Sequence, residues 1–269
     1  MTCLFAPSLS IDLTDFSGRI LIVSDLYGHF ELLLKGLSKL TQSGDEVVVI
    51  TTGNLFDWGP SPCQLLEAVV YKKFGDRKVH FFTVVGFHEL LMTDAITQKY
   101  LKTFRYFPDT HTRKHWRSLG GSWHDSYDQI LLERDIYKID YPLVINLKTK
   151  LGTYIIGSSD IPHDGGNWNT LMATLNKLDN QNLRIMASNI TRTRYFLESG
   201  KTIDDISLVV LGVHQPDQLK RILTGQTELA KSTLCLFPNN WDGLSNAPLD
   251  FKIRFLDITE SEYGSCYEF

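Results

Sequence analysis

The sequence predicts an α/β protein, and three observations carry that reading. Short runs rich in Ile, Leu and Val alternate with amphipathic helical segments from about Arg19 to Gln98. Each of those runs ends in a turn carrying Gly with Asp, Asn or His. The second half then returns to further short apolar runs. Strand–helix–strand–helix–strand at this spacing means parallel strands joined by helical crossovers.

Arg19–Asp25 is the first of these runs, with the continuous apolar character of a strand buried on both faces. Phe30, Leu33, Leu34, Leu37 and Leu40 follow at helical spacing, with Lys35 and Lys39 on the opposite face. Gly44-Asp45 is read as the end of that helix, and Glu46–Thr52 as a second buried strand. Pro62 suits a first helical turn, and Leu65, Leu66, Val69 and Val70 supply an apolar face. Val79–Val85 is a third strand, followed by a helix from about His88 to Gln98. Residues from about 100 to 137 are rich in aromatic, basic and His side chains and read as a cap-like insertion of helices and loops. Strands are expected at Leu143–Leu147, Thr153–Ser158, Leu208–Gly212, Thr233–Phe237 and Lys252–Ile258, with one amphipathic helix through Leu171, Leu175 and Leu178. No repeat or Pro/Gly/Ser-rich linker divides the chain, so residues 1–269 are read as a single domain.

Composition narrows the function. At 43% apolar, 22% charged and a formal net charge of −4, the chain has material for a core but no basic stripe for nucleic acid or an anionic membrane. Cys3, Cys63, Cys235 and Cys266 are scattered, without a Cys-x-x-Cys pair, which argues against a zinc knuckle or a disulfide framework. The first residues lack a signal-peptide pattern, and no apolar run reaches the ~20 residues of a membrane span. A cytoplasmic, reduced protein is expected. Oligomeric state is not written in the sequence.

Three turns concentrate the chemistry: Ser24-Asp25-Leu26-Tyr27-Gly28-His29, Gly53-Asn54-Leu55-Phe56-Asp57-Trp58-Gly59 and Gly86-Phe87-His88-Glu89. They lie at the carboxyl ends of parallel strands, where such sheets gather ligands. Their order and spacing resemble the calcineurin-like metallophosphoesterases, most closely the bacterial and phage serine/threonine phosphatases of the lambda phosphatase type. There the turns read Asp-x-His-Gly, Gly-Asp-x-x-Asp-Arg-Gly and Gly-Asn-His-Glu. The resemblance covers roughly Arg19 to Ile258, including a Gly-Gly-x-Trp stretch matched by Gly120-Gly121 and Trp123. It implies two mixed β-sheets packed face to face and flanked by helices, with two divalent cations such as manganese between the turns.

Matched residue by residue, that metal site is degenerate. Asp25 is kept, whereas Tyr27 stands for a ligand His, and its phenol, with a pKa of about 10, stays protonated at neutral pH without a metal. Asn54 stands for the bridging Asp and loses the charge that holds two dications together. Phe87 replaces a ligand Asn and offers no donor atom, and Ser158 falls where a ligand His belongs. The last turn, Gly212-Val213-His214-Gln215-Pro216, puts Val213 at the final ligand position, or His214 if the turn has gained a residue. The phosphate arginines become Trp58 and Val85, with one persisting as Arg192 or Arg194, Arg192 being favoured. Asp57 and His88 match the family's proton-transfer pair; the plainer reading is that here they simply satisfy a buried imidazole under the turns, with Glu89 capping its helix.

The expectation is therefore a pseudophosphatase: a phosphatase-like scaffold without metal or cofactor, acting as a protein-binding or regulatory module. Tyr27, Trp58 and Phe87 are expected to fill the former metal cavity. The alternative is a divergent active phosphoesterase with a reduced metal site of Asp25, Asn54 and His214. A nucleic-acid module ranks last, without a Gly-rich phosphate loop or basic stripe. Two lesser clusters read as solvated surface: Asp160, His163 and Asp164, and the basic set His111, Arg113, Lys114, His115 and Arg117.

Overall fold

The structure, a computed structural model, describes residues 5–97, 109–162, 166–193, 195–196, 203–204, 206–212, 233–236, 251–261 and 264–269. The chain opens with β1 (Phe5–Ala6), β2 (Leu9–Leu13), β3 (Arg19–Val23), α1 (Phe30–Leu40) and β4 (Glu46–Thr51). Next come α2 (Pro62–Tyr71), β5 (Lys78–Thr83) and α3 (Phe87–Thr97). The described part of the cap is helical: α4 (Asp109–Ser118), a 3-10 helix (Gly121–Ser126) and α5 (Gln129–Ile136). Then follow β6 (Tyr141–Pro142), β7 (Val144–Thr149), β8 (Gly152–Gly157), β9 (Gly166–Asn167), α6 (Trp168–Leu175) and α7 (Asn180–Ile190). The remaining strands are β10 (Ile203–Asp204), β11 (Leu208–Gly212), β12 (Thr233–Leu236), β13 (Arg254–Asp257) and β14 (Ser265–Glu268).

Two five-stranded mixed sheets form the centre, ordered β14-β13-β3-β4-β5 and β12-β11-β8-β7-β2. In the first, β3, β4 and β5 are parallel and β13 runs antiparallel to β3. In the second, β12, β11 and β8 are parallel while β7 opposes β8. The period of two along each strand explains the layers. Ile20, Ile22, Val48 and Ile50 meet Ile145, Leu147, Tyr154, Ile156 and Val210 in one cluster between the sheets. Leu21, Val23, Val47 and Val49 point the other way, into a core shared with Leu33 and Leu37 of α1, Leu65 and Leu66 of α2, and Leu90 and Leu91 of α3. Across the molecule Ile155, Val209 and Leu211 pack with Trp168 and Leu175. Strands buried on both faces need apolar residues at every position, which is why they read as unbroken runs.

Boundaries moved where local hydrogen bonding outbid the pattern. The first helix ends at Leu40, before Gly44-Asp45, because the Thr41 amide and hydroxyl both return to the Leu37 carbonyl. The helix expected through Leu178 ends at Leu175, and a second helix follows it. The Asp179 carboxylate accepts from the Asn182 amide at 2.8 Å and starts α7, leaving Leu178 in the link. Likewise Asn167 opens α6 by accepting from the Asn169 and Thr170 amides. The third strand stops at Thr83, short of Val85, whose amide turns to the Pro142 carbonyl. Residues 98–108 of the cap and Phe237 of the expected fourth late strand lie outside the described residues. β2 and β14 were not anticipated.

Gly36 shows how closely α1 sits on the first sheet, since a Cβ there would fall 2.3 Å from the Phe255 ring. Gly36→Val is expected to destabilise the protein by about 1–3 kcal/mol in urea unfolding. Lys35→Ala, on the exposed side of the same helix, should stay within about 0.5 kcal/mol.

Candidate functional site

The three turns converge at the strand ends, held together by backbone. The amides of Leu26 and Tyr27 both donate to the Asn54 carbonyl, at 3.1 and 2.9 Å, and the Gly28 amide donates to the Leu55 carbonyl. The Gly59 amide returns to the Tyr27 carbonyl, and a Cβ at Gly59 would lie 2.2 Å from that oxygen. Tyr27, Asn54, Asp57 and Trp58 all have positive φ, at 46°, 49°, 74° and 52°. Such conformations in bulky residues cost of order 1–3 kcal/mol each and persist only where the surroundings over-determine them.

Glu89 supplies much of that determination. Its buried carboxylate accepts from the Asn54 amide at 2.7 Å, the Gly86 amide at 3.0 Å and the Leu55 amide at 2.8 Å. The expected role of Glu89 was a helix cap alone. It also ties the second turn to the third.

Asp25 sits at the floor, fully buried. Its Oδ1 accepts from the Thr52 hydroxyl at 2.9 Å, and its Oδ2 accepts from the Asn54 side-chain amide at 3.1 Å and the Tyr27 hydroxyl at 3.3 Å. Asn54 Oδ1 in turn accepts from the His88 backbone amide at 3.0 Å. The Tyr27 ring, also fully buried, meets His88 edge-on at 5.3 Å, and the Phe87 ring meets His88 edge-on at 5.7 Å. Burial raises the pKa of both Asp25 and Glu89 to about 7, against the opposing pull of their hydrogen-bond donors.

Asp57 and His88 form the expected pair, with His88 Nδ1 2.7 Å from Asp57 Oδ2. Two further donors reach Asp57 from the cap: Trp116 Nε1 at 3.0 and 3.1 Å from its two oxygens, and Trp123 Nε1 at 2.6 Å from Oδ1. Sequence reading placed both tryptophans over the site without giving them a role. The Gly-Gly-x-Trp stretch was the available signal.

Arg192 also arrives at the site, its guanidinium carbon 5.0 Å above the Phe87 ring. Trp58 lies toward the cap, where a Cβ on Gly120 would approach its ring to 2.7 Å. Ser158 follows β8 at the same end of the second sheet as Gly212, and its buried hydroxyl has no hydrogen-bond partner among the described residues. Gly212 itself borders Asp25, since a Cβ there would lie 2.8 Å from Oδ1. Asp160, expected on the solvated surface, is buried instead: it accepts from the Thr193 hydroxyl and from the amides of Ile161, Tyr195 and Phe196. Val213, His214, Arg194, His163 and Asp164 lie outside the described residues.

These residues do not fit a bridged pair of cations. Such a centre needs lone pairs aimed at a common point. Here Asn54 and Tyr27 aim N–H and O–H hydrogens at Asp25, and Phe87 brings only a ring. Among the described residues, no group of three or more His, Cys, Asp or Glu side chains could hold a metal ion. No helix among them is long and apolar enough to cross a membrane.

Comparison with known proteins places this geometry. The family model for calcineurin-like phosphoesterases matches residues 18–225. Serine/threonine-protein phosphatase 2 of Salmonella typhimurium is 28% identical over 155 residues, 56% of this chain and 62% of that protein. The match thus spans less than two thirds of that relative. A crystal structure of a protein described provisionally as a diadenosine tetraphosphatase superposes with a TM-score of 0.53 over 97% of both chains, at 12% identity. At that identity the likeness shows a shared fold and nothing of activity. A serine/threonine phosphatase from Saccharomyces cerevisiae aligns over 98% of this chain and 83% of its own, at 14% identity and a TM-score of 0.48.

The raised pKa values make stability depend on pH with a definite sign. Between their ordinary values and about 7, folded Asp25 and Glu89 hold protons that the unfolded chain has released. Their contribution to stability therefore falls as pH rises through that window and levels off above it. Asp25→Asn can keep the geometry, because the Thr52 hydroxyl can reverse and accept from the new amide. This variant should raise the melting temperature at pH 8 by several degrees, at roughly 2–4 °C per kcal/mol. The gain should shrink as pH is lowered toward 5; a gain independent of pH would contradict the raised Asp25 pKa.

Proposed function

Because the chain belongs to the calcineurin-like phosphoesterase family, we propose that it is a catalytically impaired, serine/threonine-phosphatase-like protein that binds protein partners. One observation carries the reading: both Asp25 oxygens are occupied by hydrogens from Thr52, Asn54 and Tyr27. Three of a carboxylate's roughly four lone-pair sites are thus engaged, so holding a pair of cations there would dismantle part of that network. Tyr27 and Phe87 supply apolar bulk around His88. The half-buried Phe87, the exposed Arg192 above it and the exposed Tyr195 are residue types that anchor protein interfaces. The partner is a protein, not nucleic acid, and the site works without a metal or cofactor.

A second reading draws on the Asp57–His88 pair, whose 2.7 Å contact is suited to proton transfer. In that reading the chain keeps the phosphatase activity that the name of its Salmonella relative states, using a reduced metal site of Asp25, Asn54 and His214. The magnitudes favour the first. Acid–base help supplies about 10²–10⁴-fold, whereas enzymatic phosphate-monoester hydrolysis reaches accelerations of ~10²¹.

Assays with a phosphopeptide and an aryl phosphate in millimolar manganese are expected to give no turnover above background. Turnover abolished by His88→Asn would overturn the proposal. Elemental analysis of untreated protein should likewise find manganese, iron and zinc far below one per chain. Conversely, combining Tyr27→His, Asn54→Asp, Phe87→Asn and Ser158→His is expected to confer calorimetrically measurable manganese binding that the parent lacks.

A further inference from the structure

Asp57 collects more donors than a His–Asp pair requires. Besides His88 Nδ1 at 2.7 Å, it accepts from the indole N–H groups of Trp116 at 3.0 and 3.1 Å and Trp123 at 2.6 Å. Both indoles come from segment 109–126, on the cap side of the site. That segment is itself braced. Trp116 is fully buried, stacks on His124 at 4.4 Å and meets Trp123 edge-on at 6.0 Å. Phe56, beside Asp57, lies 5.8 Å from the Trp123 ring. Gly121 permits this approach, since a Cβ there would fall 2.4 Å from Trp116 Nε1.

A carboxylate that already accepts two indole N–H groups across both oxygens has little freedom to rotate or to donate. The His88 ring facing it is then left with one arrangement, in which Nδ1 carries the hydrogen and Nε2 the lone pair. We infer that Trp116 and Trp123 are positioning residues that act through Asp57 to set the orientation and tautomer of His88. Docking of segment 109–126 and the state of the cleft histidine are one event. The inference does not rest on the function proposed above, because it holds equally for a phosphatase and for a binding module.

The test uses the full chain labelled with ¹⁵N-histidine, with the tautomer of His88 and the solvent exchange of its Nδ1–H read by NMR at alkaline pH. The parent should show the Nδ1–H tautomer with a protected resonance. Two replacements at position 123 remove the donor: Trp123→Phe, and Trp123→β-(3-benzothienyl)alanine, which keeps the ring shape without the N–H. Both are expected to speed exchange at least roughly tenfold, about the equivalent of one lost hydrogen bond, and to admit the Nε2–H tautomer. Gly121→Ala should do the same by displacing Trp116. Trp168→Phe, in the α6 layer on the other sheet, should leave the His88 signals unchanged. A purely structural role would lower the melting temperature in the position-123 variants while leaving exchange within twofold of the parent and a single tautomer. That result would overturn the inference, and it can be read from either position-123 variant should Gly121→Ala fail to fold.

Discussion

The site depends on one buried carboxylate that touches no candidate substrate. Glu89 accepts from three backbone amides, two on the second turn and one at the start of its own helix. Those bonds offset part of the strain of holding Asn54 at positive φ and bring α3 in with a fixed azimuth. His88, one residue earlier on that helix, is thereby delivered to Asp57. The Asn54 carbonyl, turned by the same conformation, receives the first turn. Withdraw Glu89 and three buried amides lose their acceptor together, at about 1–3 kcal/mol apiece. Burial raises its pKa to about 7, so the clamp is made of a group that burial drives toward neutrality and amide donors pull back.

Around that clamp, the three turns share a connected hydrogen-bond network. Asn54 bridges Asp25 and the His88 amide, giving a hydrogen to one and taking a hydrogen from the other. An aspartate at this position could not donate. Tyr27 adds a hydroxyl on Asp25 and a ring edge on His88. Asp25, Tyr27, Asn54 and His88 thus satisfy one another across the three turns, while the buried Ser158 hydroxyl finds no partner among the described residues.

The strands that build this arrangement were legible because burial on both faces leaves an unbroken apolar run, as in β3, β4, β8 and β11. The turns were legible because Gly, Asp and Asn at strand ends leave few backbone choices. β14 was not, since all four of its residues are exposed and no alternation marks it. α7 was hidden by a solvent face of Gln, Asn and Ile185 rather than charges, and only Asp179 signals its start. In the site, Asp57–His88 and Asn54 beside Asp25 follow from the turn spacings. The indole donors do not, because Trp116 and Trp123 lie 59 and 66 residues along the chain from Asp57. The Gly-Gly-x-Trp stretch marks Trp123 but names no partner for it, and nothing local marks Trp116.

The placement of β13 has a consequence for how the chain comes to be folded. Phe255, Leu256 and Asp257 pair with Val23, Ile22 and Leu21, so β3 is flanked on one side by a strand more than two hundred residues away in sequence. During synthesis β3, β4 and β5 can assemble with α1 and α2 long before residues 254–257 emerge from the ribosome. Until then β3 presents an open edge of unpaired amides and carbonyls, and the Gly36 face of α1 waits for Phe255. An open edge and an uncovered helix face of this kind would favour association with other chains until β13 pairs.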